Sequence, residues 1–174
     1  MIPKRITDYL DSVHVGYRRL PHETAITAQD LAAALRISGR RVAKSVIVEA
    51  EGQRFIAVLP ANEMLDEGRL AAALGARSVR LLTESEFTSL FPDCDPGAEP
   101  PFGRLFDLPV VMDSSLADRN LNLIFRAGSH TEAVELRYFD FERMERPIEA
   151  AIGRGIAAGI PMRRPAGARM QPAT

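Results

Sequence analysis

A run rich in valine and isoleucine, residues 40–50, is separated from a second apolar run, residues 53–59, only by Glu51-Gly52. Branched side chains favour strands, and a two-residue connection containing glycine joins antiparallel neighbours. The pair is read as a β-hairpin. Whatever else the chain does, its remaining elements must cover this hairpin's apolar faces.

Those elements alternate in type. Residues 3–13 form an amphipathic helix pattern, with Ile6, Tyr9, Leu10 and Val13 on one face. Residues 13–20 alternate like a strand. Thr27 caps a helix over 28–35, with Asp30 at the capping-box position. A helix over 65–74 has Asp66 as cap and Gly75 as stop. A short strand follows at 78–82. Thr83 then caps a helix reaching Leu90, with Glu86 three residues on. Residues 91–103 hold four prolines and two glycines and read as a loop. Strands are expected at 108–112, 122–127 and 133–138, and a last helix at 140–146. Hairpins mixed with interspersed helices predict a single α+β domain. Its sheet is mixed, curved and barrel-like, with flanking helices, rather than doubly wound and parallel. The domain is placed at residues 1–150. Residues 151–174 read as a flexible tail of Gly, Ala, Pro and Arg.

Composition narrows the class. The 174 residues are 46% hydrophobic and 26% charged, with a net charge of -1. That fits a globular protein and argues against bulk binding of polyanions such as DNA. Charge is uneven, however: the last 25 residues carry Arg154, Arg163, Arg164 and Arg169 and no acid. One cysteine excludes a disulfide framework. No apolar run reaches the roughly 18 residues of a membrane span, and the N-terminus lacks a signal-peptide pattern, so a cytoplasmic protein without a membrane partner is expected.

The common catalytic motifs are missing: no P-loop, no Gly-x-Gly-x-x-Gly, no Gly-x-Ser-x-Gly. His14, His22 and His130 are far apart, and no metal or cofactor is assigned. Cys94 lies between Asp93 and Asp95, whose charges disfavour a thiolate. Three features remain. Lys44 interrupts Val42-Ala43-Lys44-Ser45-Val46-Ile47-Val48, in a chain with only two lysines and twenty arginines. It either faces solvent from a half-exposed strand or turns into a cavity to meet a carbonyl or phosphate. Gly97-Ala98-Glu99-Pro100-Pro101-Phe102-Gly103 is either a rigid connection or a rigid presenter of backbone groups. Gly128-Ser129-His130-Thr131 is either a structural turn or one that positions water.

In this order and spacing, the segments resemble the YbaK/prolyl-tRNA synthetase-associated domain family, as a free-standing member. The resemblance spans roughly residues 20–145. It rests on the Lys44 strand, on Leu59-Pro60, on Leu74-Gly75-Ala76 with Val79-Arg80-Leu81, and on Pro100-Pro101-Phe102-Gly103. It continues through Leu108-Pro109-Val110-Val111-Met112-Asp113 and Ala127-Gly128-Ser129-His130.

The resemblance implies aminoacyl-tRNA editing: hydrolysis of an amino acid wrongly attached to tRNA, without a cofactor. The family's functional lysine falls on Lys44 and its Gly-x-x-x-Pro loop on Gly97 and Pro101. Lys44 would meet the terminal phosphate or the ester carbonyl, the loop backbone would grip the aminoacyl group, and His130 or Ser129 would help orient water. Ser45, Pro100, Phe102, Gly103 and Gly128 are placed around the substrate. Arg36, Arg40 and Arg41 are candidates for acceptor-stem phosphates. Mischarged tRNA is the implied partner, with an aminoacyl-tRNA synthetase as a second. The alternative is a noncatalytic module of the same fold that binds tRNA or a synthetase.

Overall fold

The computed structural model describes residues 1–155. Its strands are β1 (Tyr17–Pro21), β2 (Val42–Ala50), β3 (Gln53–Pro60), β4 (Glu63–Leu65), β5 (Arg80–Leu81), β6 (Val110–Asp113), β7 (Asn122–Arg126), β8 (Glu132–Arg137), β9 (Ile148–Ala150) and β10 (Gly153–Gly155). Its helices are α1 (Lys4–Ser12), α2 (Ala28–Ala34), α3 (Glu67–Leu74), α4 (Glu84–Phe87), α5 (Gly103–Phe106) and α6 (Tyr138–Glu145).

The predicted hairpin is the centre of the molecule. β2 and β3 pair antiparallel from Ala50↔Gln53 to Ala43↔Pro60. Glu51 and Gly52 turn the chain at φ 50° and 83°, and two left-handed residues in succession match the twist of the flanking strands. The main sheet runs β1-β8-β7-β2-β3-β6-β9, with β5 against β2. The pairs β2–β7, β3–β6 and β6–β9 are parallel, so the sheet is mixed. Its path ends at β1 and β9 and does not close into a barrel.

Because β2 and β3 are apolar on both sides, both sheet faces need a cover. On one face Ala43, Ile47, Ile56, Val58, Met112 and Phe125 pack under α1 and α6, through Ile6, Leu10, Tyr138 and Phe141. The other face carries two separate clusters. Val48, Ala57 and Leu59 lie under Leu70 of α3, while Val42 and Ile124 lie under Leu31 and Ala32 of α2. Each fully buried leucine contributes about 2 kcal/mol. The gap between these two clusters is where polar side chains gather.

The helix starts follow the sequence signals. Thr27 and Asp30 form the capping box, and Asp66 accepts the Arg69 N–H. Several edges move. α1 ends at Ser12 and the chain turns at His14 with φ 55°, so the following strand begins only at Tyr17. The helix expected from Thr83 to Leu90 splits into α4 and a 3-10 turn. β4, α5, β9 and β10 are too short for periodicity to show.

β10 changes the domain boundary. It pairs with β4, Ile152 is fully buried, and the Ile152 and Gly153 N–H groups donate to the Asp113 carboxylate at 2.9 and 2.8 Å. The packed fold therefore continues to Gly155, past the boundary expected at 150. The rest of the expected tail, 156–174, lies outside the described residues. Among the described residues no helix is long and apolar enough to cross a membrane.

Candidate functional site

Strand alternation puts Val42, Lys44 and Val46 on one face of β2 and Ala43, Ser45 and Ile47 on the other. Lys44 is half-buried and falls in the gap between the α2 and α3 clusters, with Nζ 3.5 Å from the Ala61 carbonyl oxygen. Burial pushes the Lys44 ammonium below its usual pKa; Glu63 pulls it back and Arg126 adds to the depression.

Arg126 is the neighbour that sequence reasoning missed. β7 runs parallel to β2 with Val42↔Ile124 and Ala43↔Phe125 in register. The next residues along the two strands are Lys44 and Arg126, on the same face. Arg126 is half-buried and its Nη1 donates to the Ile26 carbonyl. Burial lowers its pKa, opposed by Glu99 and Asp30. The same signal that marks Lys44, a cation inside an apolar strand, was present in Asn122-Leu123-Ile124-Phe125-Arg126.

The 97–101 loop docks beside Arg126. Gly97 adopts φ 83°, a backbone conformation that glycine takes without strain, and its N–H donates to Glu99 Oε1 at 2.8 Å. The Gly128 N–H donates to the Ala98 carbonyl at 2.7 Å, and the Asp95 N–H donates to the Gly128 carbonyl at 3.0 Å. Pro100 and Pro101 are buried, as is Glu99, whose carboxyl is pushed up by burial against backbone hydrogen bonds that lower it. The loop is thus tied to the end of β7, and Arg126 lies between Glu99 and Lys44.

His130 fastens this arrangement. Its N–H donates to Asp95 Oδ2 at 3.1 Å. Ring Nε2 lies 2.8 Å from the Pro96 carbonyl and Nδ1 lies 3.2 Å from the Ala25 carbonyl. Both ring nitrogens face main-chain carbonyls, of which a neutral ring donates to one at a time, so these contacts hold His130 between Ala25 and the 95–97 segment. Ser129 is buried, and its Oγ accepts from the Met1 amino group and the Thr131 N–H, both at 3.2 Å. Gly128 has φ 77°, and a Cβ there would come within 2.9 Å of Pro3, so the turn is packed tightly on the start of α1.

Three residues expected around the substrate lie away from the Lys44 side chain. Ser45 points to the face opposite Lys44, where its buried Oγ has no hydrogen-bond partner among the described residues. Phe102 is fully buried between Tyr9 and Phe125, at ring distances of 5.6 and 5.2 Å. Gly103 opens α5, where a Cβ would overlap the Leu108 carbonyl oxygen and come within 2.6 Å of Val110. These last two anchor the loop from inside.

Acidic groups line the other side of Lys44. Burial raises the Glu63 carboxyl, Asp113 adds to the rise, and Arg40, Arg69 and Lys44 oppose it. Burial also raises Asp113, but hydrogen bonds from Ser115, Gly153 and Ile152 outweigh it and hold that carboxyl below its usual range. Arg40 is exposed on the Glu63 side of the site, whereas Arg41 faces Glu135, and Arg36 is exposed at φ 55° just beyond α2. Burial, Glu99, Asp93 and Asp95 push the Cys94 thiol up to about 12, so it is not a nucleophile at neutral pH.

Among the described residues no three His, Cys, Asp or Glu side chains gather to hold a metal ion. A cleft of about 370 Å³ between α1 and α6, lined by Tyr9, Val13, Arg104, Asp140 and Met144, shares no residue with the Lys44 surface. Chemistry favours the latter. Lys44 and Arg126 are half-buried cations with no carboxylate within 4.0 Å among the described residues, whereas Arg19, Arg80 and Arg119 all pair directly, at 2.7, 3.1 and 2.8 Å.

Comparison with known proteins matches the sequence to one family. The sequence is 32% identical over 142 residues to the proline–tRNA ligase of Thiobacillus denitrificans (strain ATCC 25259 / T1), a match covering 78% of this chain but only 23% of the ligase. It is 26% identical over 148 residues to the multifunctional Ser/Thr-tRNA deacylase ProXp-y of Escherichia coli (strain K12), covering 83% of this chain and 88% of that one. The fold resembles the crystal structure of a hypothetical protein, APE2540, with TM-score 0.78, 20% identity, and coverage of 87% of this chain and 100% of that one. It also resembles the structure of a candidate trans-editing enzyme for prolyl tRNA synthetase, with TM-score 0.73, 20% identity, and coverage of 87% and 96%. The sequence model of the aminoacyl-tRNA editing domain matches residues 22–144, from His22 through the hairpin, Lys44, the 97–101 loop and α6. With most of its length inside that match, the chain belongs to the aminoacyl-tRNA editing domain family.

Proposed function

We propose that this chain is a trans-acting deacylase that removes a small amino acid, alanine, serine or threonine, from mischarged tRNA. The observation that carries the reading is Lys44 held half-buried next to Arg126, which in turn faces Glu99 of the 97–101 loop, on a fold of the editing family. Serine and threonine are supported by the name of one relative, a Ser/Thr-tRNA deacylase, and alanine is the substrate that the family resemblance implies.

The chemistry asks little of the protein. An aminoacyl ester is already activated, so its hydrolysis depends on positioning and on charge stabilisation more than on a strong nucleophile. Water adds to the ester carbonyl, the bond to the terminal ribose oxygen breaks, and that oxygen takes a proton. The products are the free amino acid and uncharged tRNA. Lys44 supplies positive charge to the substrate's 3′ end, and the loop backbone grips the aminoacyl group. His130 acts as a positioning residue by holding Asp95 and Pro96. Such a second site is useful because one methylene gives a synthetase only about 1–3 kcal/mol of discrimination.

The test is a panel of Ala-, Ser-, Thr- and Cys-tRNA on proline and other tRNA bodies. Release of one small amino acid, dependent on Lys44, is the expected result. No release with tRNA binding intact would instead make the chain a noncatalytic tRNA-binding module.

A further inference from the structure

Two cations sit on adjacent strands of this sheet with no direct counter-ion among the described residues. Lys44 and Arg126 follow the in-register pair Ala43↔Phe125 on parallel strands, and both point into the gap between the α2 and α3 clusters. Taking a charge out of water is costly unless it is paired. The carboxylates that face them, Glu63 on the Lys44 side and Glu99 and Asp30 on the Arg126 side, all stay beyond 4.0 Å. Each cation is held by one carbonyl, Ala61 for Lys44 and Ile26 for Arg126. Among the described residues, most of the three ammonium and five guanidinium donors have no protein acceptor.

We propose that Arg126 is a second substrate-binding cation, which together with Lys44 binds the phosphodiester on the 5′ side of the tRNA's terminal adenosine. The assignment rests on the deacylase reading above, and its ligand follows from the chemistry of that substrate. In a 3′-aminoacyl ester the amino acid's carboxyl is consumed in the ester bond. The nearest formal negative charge to the scissile bond is therefore that phosphodiester.

Neighbouring strands stand about 4.8 Å apart, close enough for an ammonium and a guanidinium to reach oxygens of one phosphate. The two cations complement each other: the guanidinium offers two parallel N–H donors, and the ammonium a compact charge. Arg126 also faces Glu99, whose carboxylate accepts the Gly97 N–H. One side chain thus links the phosphate site to the loop that holds the aminoacyl group. This connection ties recognition of the nucleotide to the geometry around the ester.

The test needs no turnover. The full chain is titrated by calorimetry with adenosine, adenosine 5′-monophosphate and inorganic phosphate. The wild type is expected to prefer the monophosphate over adenosine by about tenfold, and Arg126→Gln and Lys44→Gln each to remove most of that preference, as loss of a charge-assisted contact requires. Arg126→Lys, which keeps charge but loses the fork, is expected to retain part of it and decides the matter should Arg126→Gln not fold. Equal binding of adenosine and its monophosphate overturns the proposal. So does a preference unchanged in the Arg126 variants, or inorganic phosphate binding as tightly as the nucleotide. With mischarged tRNA, Arg126→Gln is expected to raise KM more than it lowers kcat; a kcat loss at constant KM contradicts a binding role. Hydrolysis without an Arg126-dependent preference sinks the anion site alone. The preference without hydrolysis sinks the deacylase reading and leaves a nucleotide-phosphate site.

Discussion

At the scale of single residues, the candidate site is marked by two half-buried cations, Lys44 and Arg126. Lys44 was legible because a lysine inside an apolar strand needs a reason. Arg126 carried the same signal but was masked by the abundance of arginine along the chain. The orientation of Ser45 follows directly from strand alternation once Lys44 is placed, yet motif reasoning grouped the two together. His130 could be picked out as a candidate; its capture by two carbonyls depends on how far the 95–97 segment folds back, which no local pattern encodes. Cys94 gives a clean prediction. With its thiol pushed up to about 12, alkylation by iodoacetamide at pH 8 is expected to be slow in the folded protein and fast in urea. Rapid labelling of the folded protein would contradict the burial described here.

Glu145 gives a prediction in pH. It is buried, accepts the Tyr9 hydroxyl at 2.7 Å and the Arg104 N–H at 3.1 Å, and burial holds its carboxyl above the ordinary value. The folded chain therefore binds this proton more tightly than the unfolded chain. Glu145's contribution to stability is present below the ordinary carboxylate pKa and is lost as pH rises through the raised value. Glu145→Gln keeps an acceptor without the charge. Its melting midpoint at pH 8 is expected to exceed wild type by about 2–4 °C, with the gap closing or reversing at pH 4. A difference independent of pH would count against this account.

At the scale of elements, the hairpin, the α2 capping box and the α3 start were all written in local sequence. Each depends on residues within a turn of one another. The short elements were not, because β4 and β10 are three residues each and exist only through pairing with one another. α5 likewise forms where Gly103 lets Leu108 and Val110 approach its backbone. Gly103→Ala is expected to destabilise the protein by about 3 kcal/mol or more, since its Cβ would meet fixed backbone rather than a flexible side chain. Thr27→Ala, which removes only the α2 cap, is expected to cost about 1 kcal/mol. Equal effects in urea unfolding would show that the close approach at Gly103 is relieved more easily than the geometry implies.

At the scale of the whole molecule, the fold class follows from the alternation of hairpins and helices, whereas the strand order and the absence of closure do not. Which strands become parallel neighbours is set by which faces must be covered, and the two clusters under α2 and α3 leave the gap that the site occupies. The segment after Ala150 belongs to this architecture through Ile152 and its bonds to Asp113. A chain ending at Ala150 is expected to melt well below one ending at Gly155; equal midpoints would show that β10 contributes nothing to the fold.

The proposed role of Lys44 is to serve ester hydrolysis on tRNA. The measurement that reaches it most directly is single-turnover release of the amino acid from Ala-, Ser- and Thr-tRNA by the wild type and by Lys44→Ala, with circular dichroism recorded on both. The account predicts cleavage of at least one ester by the wild type and a rate lower by about 100-fold in the variant, at unchanged fold. Equal rates in the two proteins, or no cleavage of any ester by the wild type, would contradict it.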